Sequence, residues 1–304
     1  MASIFHFPGR DRTGIQRSSL FGHTRPSSGG SAIKIRLLIA LALVAFAVLS
    51  YFLKAKDKNE VTGEMERVAL VDEADEIQLG FQAAAEMVDM HGGESRDVAG
   101  RRRVQEIGQR LLDHLEENLR AEGRHNPYRD AFRFTLLADP QTVNAFALPG
   151  GPVFITQALY DKLTSDGQVA GVLGHEIGHV LSRHSNKQMA RQGLFQGVAG
   201  AIGVLGGDVN SARMGQMISA VLSTRYGRDA ELESDKWGVR IAAMAGYDPR
   251  SMIKVMKVLD EASGGGGGPP EFLSTHPKPD NRVEYINRII DEEFPDGVPH
   301  GLRE

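Results

Sequence analysis

The segment His175-Glu176-Ile177-Gly178-His179 constrains this 304-residue chain more than any other. The stretch before it, Asp166 to Gly174, and the Val180-Leu181 after it supply the apolar spacing of a buried helix. Residues four apart on such a helix project side by side, so His175 and His179 can share one metal ion. Two neutral imidazoles suit Zn²⁺, and Glu176 between them lies close enough to take a proton from a water held by that ion. A helix carrying two histidines for another reason needs no further ligand, whereas a catalytic zinc site needs a third and keeps one position open.

The candidate third ligand lies downstream, in Arg228-Asp-Ala-Glu231-Leu-Glu-Ser-Asp235-Lys-Trp-Gly238. Glu231 and Asp235 are one helical turn apart at the head of a segment continuing to Ala245. Glu231 is the expected zinc ligand, and Asp235 the residue that holds a ligating histidine through its free ring N–H. Taken alone, an acidic helix start is more simply a solvated face that suits the N-terminal end of the helix dipole. Its pairing with the two-histidine helix favours the metal.

Phe132 to Leu137 alternates polar and apolar residues, and Val153-Phe-Ile-Thr156 is short and β-rich. With Leu148-Pro-Gly-Gly151 as punctuation, the region reads as a small antiparallel β-meander. An exposed strand edge holds an extended peptide through main-chain hydrogen bonds, and Asn144, Ala145, Gly150 and Gly151 are the candidate substrate-binding positions. A hairpin that only covers the metal helix is the alternative.

Five ordered blocks resemble the HtpX/BepA-like zinc metallopeptidases, the superfamily that also holds the Ste-type CAAX endopeptidases and the mitochondrial inner-membrane quality-control peptidases. They are Asp75-Glu-Ile-Gln-Leu-Gly80, Asn144 to Gly151, His175 to His179, Arg228 to Asp235, and Ser274-Thr-His-Pro277 with Arg282, and the resemblance spans residues 72 to 290. It implies a zincin-type peptidase domain binding one Zn²⁺ per chain, with His175, His179 and Glu231 as ligands and Glu176 as general base. It adds His276 as a donor to the developing oxyanion, a role that a lone His beside Pro277 would not suggest. Ser234 stands where the family usually has Ala, and Tyr226-Gly227 where a Ser is frequent; neither departure touches a ligand. His184 is five residues past His179, out of helical register, and reads as structural.

The first 36 residues carry Arg10, Arg12, Arg17, Arg25, Lys34 and Arg36 against Asp11 alone, with many Ser and Gly, and read as a disordered basic tail. Leu37 to Leu53 is an uncharged apolar run at the lower end of the length that crosses a bilayer, which predicts one transmembrane helix. It is too long for an ordinary signal-peptide core and lacks a convincing cleavage site. The basic excess before it favours a cytoplasmic N-terminus and a catalytic domain across a bacterial inner membrane, in the periplasm; the mitochondrial inner membrane is the alternative. A net charge of −4 argues against nucleic acid as a partner, and the absence of cysteine leaves the redox compartment open.

Residues 54–70 read as a polar linker and 71–304 as one peptidase domain, giving an α+β, mainly helical fold. Its expected helices are 72–90, 98–122, 157–165, the metal helix, 230–245, 250–262 and 281–293. Leu194 to Leu222, rich in Gly, Ala, Val and Met, is expected as a packed hairpin, with a lid or a membrane-contacting surface as alternatives. Gly264 to Gly268 with Pro269-Pro270 is expected as a flexible link to the segment bearing His276. The whole implies a membrane-anchored zinc endopeptidase acting on misfolded or misassembled polypeptides. A chaperone-like binding module with little proteolysis is the alternative.

Overall fold

A computed structural model describes residues 29–53, 56–70, 72–193, 226–263, 271–276 and 281–304. Residues 1–28 of the tail expected over 1–36, the Leu194 to Leu222 stretch and the Gly264 to Gly268 run, with the expectations attached to them, lie outside the described residues; residues 29–36, expected as disordered, instead form the first turns of a helix.

Helix α1 (Gly29–Leu53) is followed by a ribbon of β1 (Asp57–Lys58) and β2 (Met65–Glu66), then α2 (Glu73–Met90) and α3 (Val98–Ala121). A sheet of β3 (Arg133–Leu137), β4 (Ala145–Ala147) and β5 (Pro152–Thr156) leads through the short α4 (Gln157–Tyr160) to α5 (Asp166–Leu181). Helical turns over 184–193, here α6, are followed by α7 (Arg228–Met244), α8 (Ser251–Ser263), α9 (Glu271–Thr275) and α10 (Arg282–Glu293). The fold is α+β and mainly helical, as expected.

Local chemistry sets the helix starts. Asp72 Oδ1 accepts from Ala74 N at 2.8 Å, and Asp97 Oδ1 accepts from Gly100 N at 2.9 Å. Ser165 and Gln168 form a reciprocal capping box at the head of α5. That cap ends the run expected as a helix over 157–165, of which only Gln157–Tyr160 is α-helical. Along α3 the buried positions Val104, Ile107, Leu111, Leu115 and Leu119 recur every three or four residues and face α5 and the sheet. Helix α5 is buried on all sides from Gly167 to Leu181, making it the spine of the domain.

The sheet is not a meander. Its order is β3-β5-β4, with β3 parallel to β5 and only the β4–β5 pair antiparallel. The chain leaving β3 passes to the far edge, forms β4, and returns through the Leu148–Gly151 turn to fill the centre. All five residues of β5 are accordingly buried, whereas β3 keeps an exposed end at Arg133.

Residues 57–68 are not a free linker either. Val61 and Val68 are buried, Asn59 Nδ2 donates to Leu181 O at the end of α5 at 2.7 Å, and Lys187 pairs with Glu66 at 2.8 Å. A polar composition suggests solvent exposure only when its polar groups have no partners, and here they do.

The transmembrane helix expected over 37–53 is not found among the described residues. Helix α1 carries that apolar run with Leu37, Leu38, Leu41, Phe46, Leu49, Phe52 and Leu53 exposed, yet among the described residues no helix is long and apolar enough to cross a membrane.

The contact that positions the site is α5 against α7. A Cβ added at Gly174 would lie 3.1 Å from Gly238 O, and one at Gly178 would lie 2.8 Å from the Trp237 Cβ and 3.1 Å from Ser234 Cα. The two backbones touch where side chains would hold them apart. Gly178→Ala should therefore destabilise the protein by about 1–3 kcal/mol through overpacking and also weaken zinc binding. Urea unfolding and chelator competition measure the two effects, and wild-type values for both would refute this account of the helix contact.

Candidate metal centre

Because α5 and α7 approach so closely, two helical faces combine into one cluster. His175 and His179 lie on successive turns of α5, Glu231 and Asp235 on successive turns of α7, and His276 follows the last turn of α9. One ligand atom from each of His175, His179, Glu231 and His276 lies within 4.8 Å of the others, and all four residues are buried. The two Nε2 atoms are 3.1 Å apart, with Glu231 oxygens 3.6 Å from His175 Nε2 and 3.5 Å from His179 Nε2.

The donor set fits a metal. Glu176 Oε1 and Oε2, Glu231 Oε2 and His276 Nε2 are buried without a hydrogen-bond partner among the described residues, in a place where each orphaned group costs about 1–3 kcal/mol. Imidazole nitrogens and a carboxylate with unused lone pairs, converging on one point, match the N/O coordination of zinc. This buried group can hold a metal ion.

Asp235 bridges two partners. Its Oδ1 lies 2.9 Å from His175 Nδ1, and Arg282 donates to both oxygens from Nε and Nη2 at 2.7 Å each. Burial alone would push the Asp235 carboxyl up, but the Arg282 guanidinium and the His175 ring beside it together outweigh burial and hold it below the usual carboxylate range. The paired carboxylate in turn fixes His175 with Nε2 facing the cluster.

Glu176 extends toward His276, with Oε1 3.7 Å from His276 Nε2. Burial pushes its carboxyl above the usual range, and the attraction of His276 offsets this only in part. His276 is fully buried, and its Nδ1 lies 3.1 Å from Glu231 Oε1. Burial works against its protonated form, but the Glu231 and Glu176 carboxylates together outweigh it and raise the pKa. The residue expected as an oxyanion donor thus stands among the candidate ligands. Phe272 stacks on its ring at 4.5 Å and donates its backbone N–H to Val143 O at 3.2 Å, so α9 lies over the start of β4.

The candidate substrate positions fall into two groups. Asn144 precedes and Ala145 begins the edge strand β4, which is buried throughout rather than exposed as expected, and Ala147, Leu148 and Pro149 line the same small void as His179. Gly150 and Gly151 are not at that void. They turn the β4–β5 hairpin, and a Cβ at Gly150 (φ 74°) would lie 2.4 Å from Ile77 Cα on α2. A Cβ at Gly151 (φ 139°) would likewise lie 2.8 Å from Ala131 C, so both glycines sit in close backbone approach.

Some partners are invisible to sequence spacing. His184, read as structural, places Nδ1 2.9 Å from His179 Nδ1, and Glu233 lies 3.1 Å beyond it. The register argument assumed a continuing helix, but α5 stops at Leu181 and Arg183 takes a left-handed φ of 50°, which turns the chain back. That conformation costs on the order of 1–3 kcal/mol. Arg183 is held in it by Glu76 at 3.0 Å, Asp57 at 2.7 Å and Leu70 O at 2.8 Å. Tyr226 stacks on His179 at 3.9 Å, a contact with no sequence signal. Glu233 is pulled down to about 2, burial being outweighed by His184, Ser182 and Lys187 acting together.

The sequence profile of Peptidase family M48 matches residues 101–290. The chain is 30% identical over 190 residues to the Beta-barrel assembly-enhancing protease of Escherichia coli (strain K12), covering 59% of this chain and 37% of that protein. It is 33% identical over 165 residues to the mitochondrial Metalloendopeptidase OMA1 of Bos taurus (51% and 32%), and 34% over 153 residues to the Mitochondrial metalloendopeptidase OMA1 of Arabidopsis thaliana (50% and 30%). The chain thus spans only about a third of the length of these relatives.

A carboxyl whose folded pKa is depressed stabilises the fold above its ordinary value and loses that contribution as pH falls through the depressed one. For Asp235 the ordinary value is 3.8, so the metal-free protein should lose stability on acidification below that point. Denaturant unfolding as a function of pH should show a shallower acid-side slope in Asp235→Asn, and an identical slope would contradict the assignment.

Proposed function

The chain belongs to Peptidase family M48, and from that footing we propose that it is a zinc-dependent endopeptidase that cleaves misfolded or misassembled polypeptides beside a membrane. The observation that carries this reading is the convergence of His175, His179, Glu231 and His276 around one buried point next to Glu176. His175, His179 and Glu231 would hold the ion. When bound there, zinc polarises a peptide carbonyl and brings the pKa of a water close to neutrality.

The chain's own groups do the rest. Glu176, whose burial favours proton uptake, accepts the proton of the attacking water and passes it to the leaving amine. Asp235, clamped by Arg282, keeps the His175 ring aimed at the metal. His276, moved off Glu231, donates to the oxygen on which negative charge develops. The substrate lies extended along β4, whose edge opposite β5 ends beside His179 at Ala147 and Leu148. Asn144 and Ala145, both buried here, pair with it once the strand edge is uncovered, and main-chain pairing there tolerates varied side chains, as damaged substrates require.

The names of the relatives, a protease that enhances β-barrel assembly and a mitochondrial metalloendopeptidase, support a quality-control substrate class. The exposed apolar residues of α1 support attachment to a bilayer. The basic residues ahead of it favour a periplasmic catalytic domain, with the mitochondrial inner membrane as the alternative.

Glu176→Gln should bind one zinc per chain while cleaving casein about 10²–10⁴-fold more slowly. Glu231→Ala should lose zinc as read by atomic absorption. Cleavage by Glu176→Gln at the wild-type rate would end this reading. The full chain should also float with liposomes in a density gradient, and its recovery in the lipid-free fraction would remove the membrane component.

A further inference from the structure

His175 and His179 are supported from opposite sides by different chemistry. His175 leans on Asp235, which is sealed from solvent. His179 leans on a second imidazole: its Nδ1 is 2.9 Å from His184 Nδ1, and His184 Nε2 is 3.1 Å from Glu233 Oε2. The other Glu233 oxygen accepts from Ser182 Oγ at 2.6 Å. Glu233 itself opens onto a surface cleft shared with Glu64, Lys236, Trp237 and Arg240, its side chain 28% exposed.

Two ring nitrogens facing each other at 2.9 Å form a hydrogen bond only when one carries a proton and the other a lone pair. An ionised Glu233 accepts and cannot donate, so the proton of a neutral His184 belongs on Nε2. Its Nδ1 then offers a lone pair. His179 must therefore carry its own proton on Nδ1, which leaves the Nε2 lone pair aimed where His175 Nε2 and Glu231 converge. One carboxylate at the surface thus determines the tautomers of two buried rings.

We propose that His184 and Glu233 are positioning residues that fix His179 as a metal ligand, through a hydrogen-bonded relay running from the metal centre to the Glu233 cleft. The proposal rests on the metallopeptidase reading above and adds to it a second carboxylate support, one that is open to solvent.

The test uses the full chain as wild type, Glu233→Ala and Glu233→Gln. Zinc affinity is measured by chelator competition, and histidine tautomers by long-range ¹H–¹⁵N correlation on the zinc-loaded protein. Glu233→Ala should weaken zinc binding about 10–100-fold, the range for lost support of a ligating histidine. It should also abolish the uniform Nε2–H signature of His184. Glu233→Gln, whose amide oxygen still accepts from His184, should lose less on both counts. Wild-type zinc affinity in Glu233→Ala, or an unchanged His184 tautomer whatever the affinity, overturns the relay while leaving the metallopeptidase reading intact. Failure of the wild type to bind stoichiometric zinc would overturn both, and that result is separately visible.

Discussion

The contact of α5 with α7 across glycine is the constraint on which the site depends. Gly174, Gly178 and Gly238 let two backbones meet where ordinary side chains would add several ångströms. Neither helix holds a complete ligand set. His175 and His179 share a face because of the helical repeat, and so do Glu231 and Asp235, but the two faces form one cluster only at this spacing. The groove that brings them together is built into the motif itself, since Gly178 lies between the two histidines in sequence.

Around this contact the protein buries two arginines, each answered by a carboxylate. Arg282 is fully buried against Asp235, and Arg183 is buried against Glu76. Buried pairs of this kind add little net stability, because desolvation roughly cancels the Coulomb attraction, although removing one partner costs about 3–5 kcal/mol. Their contribution here is geometric. Arg282 ties α10 to α7 and so holds Asp235 against His175. Arg183 ties the ribbon and α2 to the end of α5, where the chain reverses and brings His184 under His179.

The parts of the site that could be read in sequence follow from backbone periodicity. Two histidines four residues apart, and two acids four residues apart, fix their relative directions once a helix is granted. The extents of α2 and α3 were legible to within a residue or two, while the capping residues Asp72, Asp97 and Ser165 that set the helix starts emerged only in the structure. What depends on a change of direction was not visible. The position of His184 turns on the left-handed Arg183, and the sheet order on a crossover from β3 to the far edge. The burial of residues 57–68 depends on partners more than a hundred positions away, such as Leu181 and Lys187. The glycines of the Leu148–Gly151 turn were conspicuous, but sequence alone could not distinguish a backbone packed on α2 from one offered to a substrate.

Trp237 is the chain's sole tryptophan, and it sits on α7 directly opposite Gly178, one residue from the second histidine of the motif. Its indole is partly exposed in the cleft that also receives Glu233. The molecule therefore carries a native optical gauge at the seam between its two ligand-bearing helices. Any event that widens or tightens that seam changes the surroundings of a single fluorophore, with no other indole emission to obscure the signal.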